Sequence, residues 1–302
     1  MRGLSIIILN FNTYALTCAC IRSIYNSNLE DIDLEIILVD NGSTEEQSVP
    51  FTQIFPKVVY VKSNDNLGFA KGNNLGISHA SKTYILFLNS DTIVVDQDVF
   101  IKCLDKLNEH DDKIVLTPRL LTEKGQPQVA YGLLPGLLSE LMFTTFSYKL
   151  LARRQKEKLL LKFVPDKSRI IENGYITATF YLFLAAGIKK LSEGKLYDET
   201  FLYGEELFWS TQWVRSGYKM FYFSDVAIVH LVGRSSGATI RTRRKYQTEG
   251  EHAYLIWRYG YLTIIPLYFL RIIRFLILSP FDWDIRLRLV VLLKRLFNNK
   301  KK

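Results

Sequence analysis

Asp91 ends a short polar stretch, Asn89-Ser90-Asp91, that directly follows the apolar run Tyr84–Leu88. A hard divalent cation prefers oxygen ligands and leaves coordination positions for phosphate oxygens, so one well-placed aspartate can support such a site. An aspartate at the end of a strand can also cap the turn that follows. Taken alone, this stretch supports a metal ligand and a cap equally.

Two adjacent carboxylates, Glu205 and Glu206, follow Gly204 where a helical pattern begins. A helix dipole stabilises a carboxylate in the first turn, and such a group can serve as a general base. Acidic residues also occur at helix starts for stability alone, which explains one of the two. His230 closes the strand-like run AIVH, and a lone histidine is usually structural unless a partner such as Asp91 makes it a metal ligand.

Asp40 lies in the stretch Val39–Thr44, where an apolar run ends in a turn. Its carboxylate can accept from the imide N–H of uracil or thymine, or from ribose hydroxyls. An ordinary Asn-Gly turn, with Ser43 or Thr44 capping a following helix, explains the same residues. In Asn64–Gly76, glycines recur every four residues through a predicted helix start, where Lys71 could face a phosphate.

The elements that must position these residues are apolar runs separated by segments of helical length. This alternation predicts a parallel sheet with helices on both faces. Each run ends in a polar stretch, and such ends meet at one edge of a parallel sheet, so we expect a single binding crevice there. The runs are Leu4–Leu9, Glu35–Val39, Val58–Val61 and Tyr84–Leu88.

The net charge of +9 is concentrated in the C-terminal segment. Residues 241–302 contain fourteen Lys and Arg against four Asp and Glu, whereas residues 1–240 contain 25 and 26. Because the basic excess lies in an apolar segment, we expect no nucleic-acid partner. Three cysteines indicate neither a disulfide framework nor a zinc site, and favour a reducing compartment. The segment Leu133–Phe163, with its charged run Arg153–Lys158, has a helical composition without readable chemistry.

Leu262–Phe281 is almost long enough to span a membrane. Arg271 and Arg274 interrupt its middle, and a charge there costs about 2.5–3.5 kcal/mol per arginine. We therefore expect an amphipathic helix that lies in the membrane interface, followed by a basic segment. The alternative is a helix that packs on the catalytic domain and leaves its basic end in water.

The order of the motifs resembles one known family. The chain carries DNGS at 40–43, NLGFAKGNNLG at 66–76, LNSD at 88–91, DETFLYGEE at 198–206 and then His230. From about Leu4 to Gly237 it resembles the inverting family 2 glycosyltransferases of GT-A fold, particularly the bacterial rhamnosyltransferase-like branch. The resemblance implies an α/β, Rossmann-like, mostly parallel sheet with flanking helices. The amphipathic helical tail follows it.

The resemblance also implies roles for single residues. Asp40 corresponds to the aspartate that contacts base and ribose, Asp91 to the last aspartate of the DXD motif, and His230 to the histidine that completes the metal site. Glu206 stands where the family usually has an aspartate, with Glu205 before it, so the choice of base between the two stays open. The other residues expected along the nucleotide are Asn10, Asn12, Asn41, Asn66, Lys71, Asn73, Asn89 and Ser90.

The function implied by the resemblance is inverting, hexosyl-type transfer with Mn²⁺ or Mg²⁺. The sugar would move from a UDP- or dTDP-sugar, such as dTDP-rhamnose, to a saccharide hydroxyl in surface polysaccharide synthesis. Lipid-linked acceptors are common in this branch, so the tail would hold the enzyme peripherally at the cytoplasmic face of the cell membrane. The expected organisation is a catalytic domain, 1–240, with a nucleotide-binding half, 1–118, and an acceptor-side half, 119–240, followed by the tail, 241–302.

Two other functions fit parts of the chain. A nicotinamide oxidoreductase would carry G-x-G-x-x-G after the first strand, where this chain has Asn10-Phe11-Asn12. A non-catalytic module that binds sugar nucleotides or polysaccharide would retain Asp40 and lose the base. The presence of both Glu205 and Glu206 argues against such a module.

Overall fold

The computed structural model describes residues 1–47, 49–151, 155, 167–231, 239–278 and 282–298. The strands are β1 Arg2–Asn10, β2 Ile32–Asn41, β3 Val59–Ser63, β4 Tyr84–Leu88, β5 Thr92–Val94, β6 Ile114–Leu121, β7 Tyr131–Leu133, β8 Arg169–Ile171, β9 Gly174–Ile176, β10 Phe180–Leu184 and β11 Lys219–His230. The helices are α1 Tyr14–Tyr25, α2 Phe51–Ile54, α3 Phe69–Ser78, α4 Val99–Glu109, α5 Leu137–Thr144, α6 Glu205–Arg215, α7 Ile240–Tyr259, α8 Tyr261–Leu278 and α9 Trp283–Asn298.

A nine-stranded sheet has the order β3-β2-β1-β4-β10-β6-β11-β5, with β8 also paired to β11. Strands β3, β2, β1 and β4 are parallel neighbours, and β6 and β11 run in the same direction. Strands β10, β5 and β8 run the opposite way. The predicted α/β architecture with a mostly parallel sheet is confirmed, and the antiparallel strands come from segments whose direction local patterns do not specify.

Helix α3 packs directly on β1 because its glycines leave room for the strand's side chains. A β-carbon on Gly76 would lie 2.4 Å from Ile7 Cγ2, and one on Gly72 would lie 3.1 Å from Leu9 Cδ1. A larger residue at either position would force the strand's side chains or the helix to move. The close packing places the start of α3 at the carboxyl edge of the sheet.

The turn after β2 differs from the sequence prediction. The described residues from Gly42 to Gln47 contain no helix, so a helix start at Ser43 or Thr44 is wrong. Ser43 Oγ accepts instead from Asn10 Nδ2, at 2.9 Å, and from the Asn12 backbone N–H, at 3.1 Å. Its hydroxyl joins the ends of β1 and β2 and is therefore not available as a helix cap.

The insert predicted as Leu133–Phe163 is helical at α5 and in a 3-10 turn, Ser147–Leu150. Its charged run, Arg153–Lys158, lies outside the described residues except for Gln155. Among the described helices, α8 alone is long and apolar enough to cross a membrane, with a mean hydropathy of 1.8. The lysines at 300–302 also lie outside the described part of the chain.

Candidate functional site

A cavity of about 730 Å³ opens at the carboxyl edge of the sheet. The polar ends of the strands predict one crevice at this edge, and segments far apart in the chain meet there. The predicted site residues that line the cavity are Asn41, Asn66, Asn73, Asn89, Ser90, Asp91, Glu205, Glu206 and His230.

Asp91 and His230 are brought together by the antiparallel pairing of β5 with β11. His230 pairs with Thr92 in this ladder, and the backbone N–H of Leu231 donates to the Asp91 carbonyl at 2.8 Å. The Asp91 Oδ1 and His230 Nε2 atoms are consequently 3.4 Å apart, with the side chains 1% and 15% exposed. The two side chains are therefore close enough to bind the same metal ion.

The pair fits a divalent cation that completes its coordination with the ligand's own oxygens. Two atoms bound at right angles to one Mg²⁺ would be about 3 Å apart, since each bond is about 2.1 Å long. Within the described ranges, no group of three or more His, Cys, Asp or Glu side chains is placed to hold a metal. A hard cation at Asp91 and His230 would take its other ligands from phosphate oxygens and water.

Glu205 and Glu206 begin helix α6, as the sequence indicated. Gly204 precedes them with φ +95°, a conformation that glycine adopts without strain. Glu205 is 2% exposed and Glu206 is half-buried, and both line the cavity. Their position in the first turn places both carboxylates in the positive field of the helix N-terminus.

Burial changes the proton affinity of both carboxyls. Loss of hydration, followed by the neighbouring charge of Glu206, raises the pKa of Glu205 to about 8. Burial also raises the pKa of Glu206, while its own backbone N–H and that of Gly204 oppose the shift. Because Glu205 is more deeply buried than Glu206, loss of hydration favours the protonated form of Glu205 more strongly. The geometry distinguishes two residues that the sequence left equivalent.

Asp40 lies beside the cavity and is 2% exposed. Its Oδ1 accepts from the Ser43 backbone N–H at 3.0 Å, and its Oδ2 accepts from the Tyr60 hydroxyl at 2.7 Å. Burial and then the Asp40 carboxylate raise the pKa of Tyr60 to about 12. Asp40 therefore organises the end of β2 and is not among the residues that line the cavity.

Asn10 and Asn12 likewise stabilise the cavity edge through bonds within the protein. Asn10 Oδ1 accepts from the hydroxyls of Thr13, at 3.0 Å, and Thr17, at 2.8 Å. Asn12 has φ +54°, and its Oδ1 accepts from the backbone N–H groups of Thr44 and Glu45. Neither asparagine lines the cavity.

The loop before α3 is fastened to β2 by Asn41. Its Oδ1 accepts from the Leu67 N–H, and its Nδ2 donates to the Gly68 carbonyl, both at 3.1 Å. Asn73 is buried and donates to the Phe69 carbonyl at 2.9 Å. Lys71 is exposed on the same helix, and the structure does not bring it to the cavity.

Sequence reasoning missed two contributors to the cavity wall. Gln128, from the loop between β6 and β7, reaches His230, and no motif marks it. Helix α7 adds Thr242, Arg243 and Tyr246 to the lining, and Thr239, which caps the N-terminus of this helix, lines the cavity as well. The basic and apolar composition of residues 241–302 predicted a separate tail, but residues of α7 line the cavity. The division of the chain at residue 240 stays a prediction.

Comparison with known proteins gives a family and a fold. Residues 5–171 match the model described as Glycosyl transferase family 2. The chain is 31% identical over 111 residues to the PGL/p-HBAD biosynthesis glycosyltransferase of Mycobacterium bovis (strain BCG / Pasteur 1173P2), covering 35% of this chain and 42% of that relative. It is 28% identical over 128 residues to the low-salt glycan biosynthesis hexosyltransferase Agl10 of Haloferax volcanii, covering 41% and 38%. The chain thus spans less than half the length of these curated relatives.

Among solved structures, the mannosyltransferase PcManGT from Pyrobaculum calidifontis, in complex with GDP-Man and Mn²⁺, is similar with a TM-score of 0.55. The sequence identity is 14%, over 95% of this chain and 73% of that one. At this identity the similarity concerns the fold.

Proposed function

Because the chain belongs to glycosyl transferase family 2, we propose that it is a metal-dependent, inverting glycosyltransferase of the rhamnosyltransferase-like branch. The donor is a UDP- or dTDP-sugar, with dTDP-rhamnose as the first candidate, and the acceptor is a saccharide hydroxyl. The observation that carries this proposal is the meeting of the Asp91–His230 pair with Glu205 and Glu206 in one cavity.

Glu206 acts as the general base. Its carboxylate accepts the proton of the acceptor hydroxyl as that oxygen attacks the anomeric carbon, and the bond from this carbon to the nucleoside diphosphate breaks. Attack opposite to the leaving group inverts the anomeric configuration. Glu205, protonated at neutral pH because its pKa is about 8, leaves a single negative charge in the pair.

Asp91 and His230 would bind Mn²⁺ or Mg²⁺. When bound, such a cation neutralises the charge of the departing diphosphate. The Mn²⁺ bound to the structurally similar mannosyltransferase supports this choice of ion. Asn41, Asn66 and Asn73 line the same cavity, and their side-chain amides would contact the nucleotide.

The tail holds the enzyme at the cytoplasmic membrane surface, where a lipid-linked acceptor is available. Helix α8 turns Arg271 inward, where it pairs with Glu140 and, at 3.3 Å, with Glu251. Arg274 also turns inward, donating to the Phe143 carbonyl. The exposed side of α8 is consequently apolar despite two central arginines, as an interface helix requires.

A screen of sugar nucleotides for metal-dependent donor hydrolysis and transfer tests the proposal. We expect turnover of a UDP- or dTDP-sugar with Mn²⁺ or Mg²⁺, and its loss in Asp91→Asn and His230→Ala. His79→Ala, which changes a histidine outside the cavity lining, serves as the control. Binding of a sugar nucleotide without turnover under any metal would favour the non-catalytic module.

A further inference from the structure

The side-chain amide of Gln128 has only one orientation that satisfies its hydrogen bonds. Its Nε2 donates to the carbonyl oxygens of His230, at 2.7 Å, and Leu121, at 2.9 Å. A flipped amide would place Oε1 against two carbonyl oxygens that can only accept. The backbone N–H of Gln128 donates to the Leu120 carbonyl at 2.8 Å, which anchors the residue beside β6.

The remaining amide atom determines where the His230 ring carries its hydrogen. Gln128 Oε1 lies 3.1 Å from His230 Nδ1. Because Oε1 can only accept, Nδ1 must be the donor, and a neutral ring then keeps its lone pair on Nε2. This Nε2 faces Asp91 Oδ1 at 3.4 Å. Two lone pairs at this distance repel each other unless a proton on Nε2 or a metal cation lies between them.

We propose that Gln128 is a positioning residue that selects the Nδ1–H tautomer of His230 and so presents His230 and Asp91 as two ligands of one cation. The inference rests on the proposed metal site. A hydrogen bond to the second ring nitrogen commonly determines the tautomer and ring orientation of metal-binding histidines. Without Gln128, the Asp91 carboxylate favours hydrogen on Nε2, and the ring donates to Asp91 in place of binding the cation.

The tautomer can be read by ¹⁵N NMR of metal-free protein labelled at its four histidines. The spectrum of His230→Gln assigns the ring, and the pH is raised until the ¹⁵N shifts report a neutral imidazole. We expect hydrogen on Nδ1 in the wild type and on Nε2 in Gln128→Met. Hydrogen on Nε2 in the wild type, or an unchanged tautomer in the variant, would overturn the inference.

Binding of Mn²⁺ alone, followed by electron paramagnetic resonance, tests the consequence for the metal. We expect Gln128→Met to weaken binding by about 10- to 100-fold, as loss of such a supporting hydrogen bond commonly does. Gln126→Met makes the same substitution at an exposed residue of the same loop and should bind close to the wild type. Melting temperature checks that each variant is folded.

The two possible failures are distinguishable. If Asp91→Asn loses Mn²⁺ and Gln128→Met binds it normally, the role of Gln128 is wrong and the metal site stands. If Asp91→Asn binds Mn²⁺ normally, the metal site is wrong, and with it the presentation of His230 as a ligand. The NMR result then decides the tautomer by itself.

Discussion

A β-carbon on Gly250 would lie 2.3 Å from the carbonyl oxygen of Tyr203. Gly250 is in the middle of α7, and Tyr203 is two residues before Glu205. The next residue, Gly204, approaches the same point, because its own β-carbon would lie 3.2 Å from Gly250 Cα. The first helix of the tail is thus packed directly against the turn that positions the carboxylate pair.

Gly250→Ala should therefore disturb both the fold and the activity. The added methyl group overlaps backbone, so α7 must move, at a cost of about 1–3 kcal/mol in the free energy of unfolding. We expect a lower melting temperature and a reduced kcat. Gly136→Ala is the control, because its β-carbon would meet only an ordinary contact at 3.4 Å. Equal effects of the two substitutions would contradict the packing argument.

Glu206→Gln should lower kcat by about 10²- to 10⁴-fold, since it removes the general base but keeps the shape of the side chain. Donor binding, measured by calorimetry, should remain. Glu205→Gln should have a smaller effect because Glu205 is already protonated at neutral pH. Glu193→Gln, at an exposed site, is the control. If the order of the two effects were reversed, Glu205 would be the base.

The stability of the protein should depend on pH through Glu205. Burial raises its pKa from 4.5 to about 8, so between these values the folded chain holds a proton that the unfolded chain has released. The contribution of this group to the free energy of unfolding is completely present below pH 4.5. It decreases above that pH and is lost as the pH rises through 8. Glu205→Gln should abolish this pH-dependent loss of stability, which is on the order of a few kcal/mol in the free energy of unfolding.

Urea unfolding at pH 5 and pH 8.5 measures the difference between Glu205→Gln and the wild type. We expect the variant to gain relative stability at the higher pH. Glu193→Gln should show no such pH dependence because it lies at an exposed site. The same difference for Glu205→Gln at both pH values would mean that Glu205 ionises normally in the folded protein.

The exposed side of α8 should be required for membrane binding. Leu262, Phe269 and Leu276 are 81%, 64% and 57% exposed. Their replacement by Gln should lower the affinity for anionic vesicles, measured by co-sedimentation, more than tenfold. Each apolar side chain buried in the membrane interface contributes about 1.5–3 kcal/mol. The melting temperature should change little, since these side chains are already in water.

Val95→Gln is the matched control, because Val95 is 49% exposed outside the tail. It should leave vesicle binding unchanged. A different result would contradict the membrane role. If the wild type binds DNA, and the triple substitution changes neither DNA binding nor vesicle binding, the basic tail binds nucleic acid.

Much of the fold was predictable from local patterns. The apolar runs before Asn10, Asp40 and Asp91 became neighbouring parallel strands, because buried strands separated by helical segments have few other arrangements. The glycines that recur every four residues before and within α3 have a structural reason, because Gly72 and Gly76 let the helix pack directly on β1. The helix start at Ser43 was wrong because a distant partner, Asn10, engages the capping hydroxyl.

The sequence by itself determined which chemical groups are present and in what order: a carboxylate at the end of β4, a glutamate pair after a glycine, and a late histidine. The tertiary structure decided that Asp91 meets His230 through the β5–β11 pairing, that Glu205 is more deeply buried than Glu206, and that α7 forms part of the cavity wall. Local sequence patterns set secondary structure, whereas strand partners and burial depend on contacts between remote segments. Because a pKa follows from that burial, the difference between two adjacent glutamates emerges only in the folded chain.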